Sequence, residues 1–326
     1  VIVQVPASSA NLGPGFDTLG LALSLRAELG IVDPDRPGGG APEGARRCDS
    51  HHPAQVAFAR LGGTGQVWER CSIPVGRGLG FSGAVRVGGG ALAVAQRDGG
   101  RVLDDEGRAE VLAVVAELEG HADNVAASLY GGVVATGGGR VVRVPLALDP
   151  AIVVWIPSFV TKTDESRRIL GAPVPFDDVV FNLGRVAMLV GALAAGDVAA
   201  LRDAFQDRVH QPARLALAEP CRRAIDAALE AGAWCSWLSG SGPTVAAMCA
   251  PPMPTSSPPR CRPTGTPRCC GSITRVPRSR PRTLEPCPAS QAPRHLRPRR
   301  PPIPRAPPIP PRPPRPAIRW PTCPTS

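Results

Sequence analysis

Residues 74–84 read PVGRGLGFSGA, and the small, apolar stretch from Ala84 to Val94 follows directly. Glycine lacks a side chain and tolerates positive φ, so the run between Gly76 and Gly80 lets backbone amides come close to an anionic ligand. The stretch behind it reads as a helix. The loop would then sit at a helix N-terminus, where unpaired amides and the helix dipole favour phosphate. It has neither the Lys-Ser/Thr ending of a P-loop nor the spacing of a dinucleotide fingerprint, so a nucleotide would be held in some other way, with an ordinary tight turn as the competing reading. Two more glycine-punctuated segments flank it in the chain: VPASSANLGPGFD from Val5 and LSGSGPT from Leu238.

The middle loop resembles the PxxxGLGSSA phosphate loop of the GHMP kinases. VPASSANLGPGFDTLGLAL, residues 5–23, resembles the N-terminal signature of the homoserine kinase family, and ELEGHADNVAASLYGG from Glu117 resembles its second substrate segment. WLSGSGPTVAAM from Trp237 is similar to the third GHMP motif, TKTDESRRIL from Thr161 to the T-x-x-x-R-x-x-L element, and DRVHQPAR from Asp207 to a further arginine-bearing element. These segments stand in the family's order and cover most of residues 1–250.

The resemblance implies an α+β, GHMP-kinase-like fold of two domains with the active site between them: an ATP-binding domain over 1–150 and a C-terminal domain over 151–250. It implies ATP and Mg2+ as cofactors and L-homoserine as the substrate, phosphorylated on its hydroxyl. Pro74, Gly76, Arg77, Gly78, Leu79, Gly80, Ser82 and Gly83 would cradle the triphosphate, together with Ser239, Gly240, Ser241 and Gly242. Ser82 and a carboxylate from Glu117, with Glu119 as its rival, would hold magnesium, a hard ion that prefers oxygen ligands. Arg167 and Arg214 would grip the substrate carboxylate, where a guanidinium can make paired hydrogen bonds. Asp17, beside Asn11, would meet the ammonium, with His121 as a third contact. Asp123, Asn124, Asn11 and Thr163 would lie at the reacting hydroxyl; taken alone, His121, Asp123 and Asn124 read as local turn and cap chemistry, but finding all three inside the segment that resembles the family favours the site role. No residue is forced into the role of general base. Lys162, the only lysine, reads as a surface residue or a phosphate contact. Another GHMP small-molecule kinase, or an inactive and partly misread homologue, stays open as an alternative.

Composition agrees only with the first 250 residues. The chain has 326 residues, 43% of them hydrophobic, and a formal charge of +10. From Pro251 onward there are 15 arginines against one acid, Glu285, so the body is mildly acidic and the tail alone makes the chain basic. The tail also holds 25 of the 40 prolines, which remove amide donors and fix φ; disorder with polyproline II character is expected there. Its only aromatic residue is Trp320, so no specific nucleic-acid module is read from it, and anion binding through charge alone is the alternative. The ten cysteines show no zinc spacing, no signal peptide opens the chain, and no apolar run reaches membrane-span length, so a reducing cytoplasm is expected, with a homodimer as a family possibility.

Periodicity predicts strands at 1–5, 133–136, 151–156 and 245–248, and helices at 108–118, from Asp123 or Asn124 as cap to Tyr130, 179–195 and 220–231. Between Asp33 and Ser72 the text is polar and rich in Gly and Pro; only AQVAFARLGG from Ala54 reads as helical. Phe81 stands where the resembled loop has its first serine, Gly83 and Arg86 interrupt the small-residue helix behind it, and no closing helix and strand is visible after Thr244.

Overall fold

A strand of nine residues, β1 (Ile2–Ala10), runs antiparallel to a strand of thirteen, β2 (Leu19–Ile31), and the first glycine segment forms the turn between them. This computed structural model describes residues 1–33, 35, 40–160, 163–171, 173–251 and 272–275. These residues belong to one compact unit; residues 289–326 lie outside the described residues. After β2 come β3 (Arg46–Arg47), α1 (Pro53–Arg60), β4 (Val67–Cys71), α2 (Phe81–Arg97), α3 (Asp105–Glu119), α4 (Asp123–Tyr130), β5 (Val133–Gly137) and β6 (Arg140–Val144). The remaining elements are β7 (Ala151–Trp155), α5 (Thr163–Arg168), α6 (Phe176–Ala195), α7 (Val198–Ala204), α8 (Gln211–Ala216), α9 (Glu219–Glu230), β8 (Cys235–Leu238), β9 (Val245–Cys249) and β10 (Ser272–Arg275). Two antiparallel sheets result. One is ordered β3-β4-β2-β5-β6 with β1 also paired to β2, and the other β10-β7-β9-β8.

The helix behind the phosphate loop is the spine of the first sheet. Its residues from Gly83 to Ala95 are buried almost without exception, against β1, β2, α1, α3 and α4. Three consecutive glycines in a helix cost backbone entropy, yet here they permit contact. A Cβ on Gly89 would stand 2.0 Å from the Ala54 carbonyl oxygen of α1, and one on Gly88 would stand 2.4 Å from the Leu29 side chain of β2. One apolar core continues from these helices into the second sheet, where Trp237 is fully buried with its ring centroid 4.8 Å from that of Phe205.

Several expectations change. Residues 33–72, read as polar text apart from one helix, supply β3 and β4 as well as α1; β4 is recruited by the long β2 across five paired positions. Ala122, not Asp123 or Asn124, is the cap of α4, because both side chains are engaged elsewhere. A fourth strand does close the second sheet: β10 lies inside the segment expected to be disordered and pairs with the edge of β7. Its Ile-Thr core has the β-branched residues that a strand favours. The rest of the tail and Lys162 lie outside the described residues. Helix α6, twenty residues long, is apolar and long enough to cross a membrane by length and composition alone, although Asp177, Asp178 and Arg185 interrupt it. It turns Leu189, Ala192 and Leu193 into the core and buries Asn182, whose amide donates to the Pro14 carbonyl and to Asp207.

The glycines of α2 and α6 give a direct test of close packing. Gly184→Ala on α6, with nothing within 4 Å of the new Cβ, is expected to stabilise by about 0.5–1 kcal/mol. Gly89→Ala gains the same helix propensity but is expected to destabilise by about 1–3 kcal/mol through overpacking, an opposite sign that urea unfolding of the two variants will read.

Candidate active site

The three glycine segments meet in space. Trp237 Nε1 donates to Ser9 Oγ at 3.0 Å, the Ser9 and Ser239 hydroxyls lie 2.7 Å apart, and Ser239 Oγ donates to the Gly78 carbonyl at 2.6 Å. Because each hydroxyl has one proton, the chain has a single direction, with Ser9 donating to Ser239. Asn11 adds a second clasp: its amide donates to the Gly240 carbonyl at 2.9 Å while its oxygen accepts from the Asp17 amide at 3.1 Å. Such fastening holds Asn11, Leu12 and Asp17 at positive φ (71°, 45° and 55°), a region that non-glycine residues seldom adopt.

In the phosphate loop, Gly76, Gly78 and Gly80 have φ of 65°, 70° and 66°. At Gly78 a Cβ would lie 2.3 Å from the Ser239 carbonyl oxygen, and at Gly80 2.1 Å from Ser8 Oγ, so both glycines are required by close approach as well as by φ. Gly80 caps α2 without a side-chain bond, which leaves the amides of Phe81, Ser82 and Gly83 free of an intrahelical carbonyl. They open onto a cleft of about 690 Å³ whose wall runs from this loop to Asp17, Arg167 and Arg214. Phe81 is on the wall too, edge-on to His52 with centroids 6.3 Å apart.

At the far end, Arg167 makes two parallel hydrogen bonds to Asp17, at 2.9 and 2.7 Å, and both side chains are about one-third exposed. Arg214 is 5% exposed; it donates to the Gly240 carbonyl at 3.1 Å and to His210 Nδ1 at 3.0 Å. The Phe16 ring lies under both guanidinium groups, 5.4 Å from Arg167 and 5.3 Å from Arg214. Burial, and then the neighbouring charge of Arg167, pulls the Arg214 guanidinium down to about 10. Fully buried His210 donates from Nε2 to the Gly13 carbonyl at 2.7 Å and accepts from Arg214 on Nδ1, the bonding pattern of a neutral ring. Burial also lowers its pKa, in accord with that neutral state. Asp207 holds the turn beneath by accepting from the amides of Val209, His210 and Gln211.

His121 Nδ1 and Asp123 Oδ1 are 2.7 Å apart, and Asp123 also accepts from the Asn124 amide at 2.7 Å. Burial alone would make His121 less basic; its bond to Asp123 and that carboxylate's charge outweigh this and raise its pKa. Asn124 Oδ1 accepts from Ser8 Oγ at 2.8 Å. At the head of α2, Ser82 Oγ donates to Glu119 Oε1 at 2.6 Å, and Arg86 donates to both Ser82 Oγ and Glu119.

The cleft therefore gathers Asn11, Asp17, Gly76, Arg77, Gly78, Leu79, Gly80, Ser82, Gly83, Glu119, His121, Asp123, Asn124, Arg167, Arg214, Gly240 and Ser241. Pro74, Ser239 and Gly242 are behind the wall, and Thr163 opens α5 with its side chain outside the described set. Glu117 departs from its expected place: its side chain is 69% exposed and pairs with Arg60, since two residues along a helix reverse the facing direction. Arg77 reaches instead to the carbonyls of Pro157 and Phe159. Reading by motif missed Arg86, Asn182, Asp207 and His210. Arg86 follows Ser82 by one helical turn, and His210 precedes Arg214 by the same step, spacings that were available as signals.

Known proteins resemble this chain in sequence and in fold. The families described as GHMP kinases N terminal domain and GHMP kinases C terminal match residues 53–132 and 189–255. A homoserine kinase of Moorella thermoacetica is 42% identical over 265 residues, covering 76% of this chain and 87% of its own. One from Thermus thermophilus is 39% identical over 256 residues, covering 76% and 86%. The crystal structure of homoserine kinase from Cytophaga hutchinsonii superposes with a TM-score of 0.63 at 27% identity, covering 76% of this chain and 85% of that one. A Methanococcus jannaschii mevalonate kinase, at 15% identity and a TM-score of 0.54 over 76% of this chain and 90% of that one, shares the fold alone. With the segments in order, the sheets in place and relatives of this identity over most of their length, the chain belongs to the homoserine kinase family of the GHMP kinases.

Proposed function

We propose that this chain transfers the γ-phosphate of ATP to the side-chain hydroxyl of L-homoserine, giving O-phospho-L-homoserine, a step toward threonine. The observation that carries the reading is one cleft with two unlike ends. Unpaired amides at the head of α2 suit a polyphosphate, and the Asp17, Arg167 and Arg214 set suits a zwitterion. A substrate bearing both a carboxylate and an ammonium can enter the Arg167–Asp17 pair without leaving either charge alone: its carboxylate replaces Asp17 at Arg167, and its ammonium replaces Arg167 at Asp17. Arg214, oriented by neutral His210, adds a second donor to the carboxylate. An uncharged alcohol has no such exchange to offer.

In the transfer, the hydroxyl oxygen forms a bond to the γ-phosphorus, the bond from that phosphorus to the bridging oxygen of ADP breaks, and the hydroxyl proton passes to solvent. Phosphoryl transfer of this kind needs alignment and charge neutralisation more than a strong base. Asn124 and Asp123, fixed by Ser8 and His121, frame the hydroxyl; the loop amides and Ser82 hold the phosphates. Ser82 and Glu119, two hard oxygen donors 2.6 Å apart, fit magnesium, which when bound supplies further neutralisation of the phosphates. Arg86 places a guanidinium on the same Glu119 oxygen, so in this chain a fixed cation competes for that carboxylate. Five free thiols among the described residues support a reducing, cytoplasmic setting.

Two experiments test these roles. Arg167→Met is expected to lower kcat/KM for L-homoserine roughly 10- to 100-fold, the loss of a charge-assisted bond, while leaving unchanged the turnover of 3-amino-1-propanol, which lacks the carboxylate and is expected to react slowly with either protein. An equal loss with both substrates would remove Arg167 from carboxylate recognition. Glu119→Gln is expected to raise the Mg2+ concentration for half-maximal ATP binding by roughly tenfold or more, with Glu117→Gln at the wild-type value. Calorimetric titration reads this, and the reverse ranking would return the metal role to Glu117.

A further inference from the structure

Beside the nucleotide end of the cleft lies a group of side chains that the kinase reading does not use. Cys48 follows β3, His52 caps α1, and Glu69 is the middle residue of β4. A backbone bond from the Cys48 amide to the Val67 carbonyl, 2.8 Å long, fixes the first to the strand of the third. Cys48 and Glu69 are 1% and 3% exposed, and the thiol, one imidazole nitrogen and one carboxylate oxygen all lie within 4.8 Å of one another. Arg46 donates to Glu69 Oε1, and His52 Nε2 is 3.5 Å from the same atom, beyond hydrogen-bond reach. Glu69 Oε2 and His52 Nε2 are buried with no hydrogen-bond partner.

Buried polar atoms are nearly always paired, and two unpartnered atoms on residues clustered with a thiol call for a ligand. We propose that Cys48, His52 and Glu69 form a binding site for a thiophilic divalent cation, Zn2+ by its donor set, on the wall of the nucleotide cleft. One sulfur, one imidazole nitrogen and one carboxylate oxygen are the ligand types that Zn2+ accepts, and three protein ligands leave a fourth position open. His52 is the member that reaches the cleft, beside Phe81, so the open position is on the nucleotide side. Loading has a stated cost. His52 Nδ1 accepts from the Ala54 amide at 3.3 Å, and a metal on Nε2 moves the ring proton to Nδ1 and ends that long cap bond. Burial, followed by the charge of Glu69, pushes the Cys48 thiol up to about 12, so without a cation it stays protonated and the proton leaves to solvent when metal binds. Glu69 comes seventeen residues after His52 and from another element, which is why no metal spacing was visible along the chain.

Cobalt substitution tests the site in the full chain. After chelator treatment, titration with Co2+ is expected to give one equivalent bound, with a near-ultraviolet thiolate-to-cobalt charge-transfer band that Zn2+ abolishes by displacement. Cys48→Ser should lose the band, and His52→Gln, which keeps an acceptor at the helix cap, should weaken cobalt binding at least tenfold. A wild-type protein without the band, as a bridging water in the cluster would produce, overturns the proposal. So does a band that persists in Cys48→Ser, which would place the thiolate on another cysteine, or an affinity unchanged in His52→Gln should the serine variant not fold.

Discussion

A single directed chain of hydrogen bonds, from the Trp237 indole through the Ser9 and Ser239 hydroxyls to the Gly78 carbonyl, holds the three glycine segments in one place. Everything at the site is referred to it. Ser239 is fully buried, so its hydroxyl has no water to fall back on, and loss of either partner would leave a polar group unsatisfied in the core. The close approach it enforces explains why Gly78 has no room for a Cβ against the Ser239 carbonyl. With the loop fixed there, α2 begins where its unpaired amides face the cleft, and the first segment turns so that Asp17 reaches Arg167.

Charge at the other end of the cleft is arranged so that the resting site is already paired. Arg214 is nearly buried, a costly position for a cation, and the cost is met by three acceptors, the carbonyls of Gly240 and Ser166 and the neutral ring of His210, together with the face of Phe16. Arg167 is about one-third exposed and makes two parallel bonds to Asp17. The two arginines therefore differ: one is buried and held by fixed acceptors, the other is partly exposed and paired with a carboxylate. Arg86 follows the same logic at the head of α2, where its guanidinium occupies the Glu119 carboxylate beside Ser82. Packing, not chemistry, sets the distances between these groups, through the glycines that let α2 sit against α1 and β2.

The sequence was most readable where short-range physics decides. Gly76, Gly78 and Gly80, the helix behind them, the two cleft arginines and the edge of α3 at Gly120 all carry local signals: positive φ, small-residue runs, a helix stop. Asn11 lines the cleft and also braces it, its amide donating to the Gly240 carbonyl and its oxygen accepting from the Asp17 amide. Reading failed where a residue's role is set by a distant strand. β4 is short and exists because β2 offers it an edge, and the two arginines of β3 pair in turn with β4; β10 pairs with the edge of β7. Glu117 and Glu119 could not be separated along the chain, since only the helix phase shows which one turns toward Ser82. His210 and Asp207 were hidden for the same reason: their partners, Gly13 and Asn182, are far away in sequence.

The most direct test of the account is phosphorus NMR of the full chain incubated with ATP, Mg2+ and L-homoserine, beside an identical sample without the amino acid. The account predicts a phosphomonoester resonance that grows in step with ADP only when L-homoserine is present. ATP bound in the cleft with no such resonance, or ADP formed at the same rate in both samples, would contradict it.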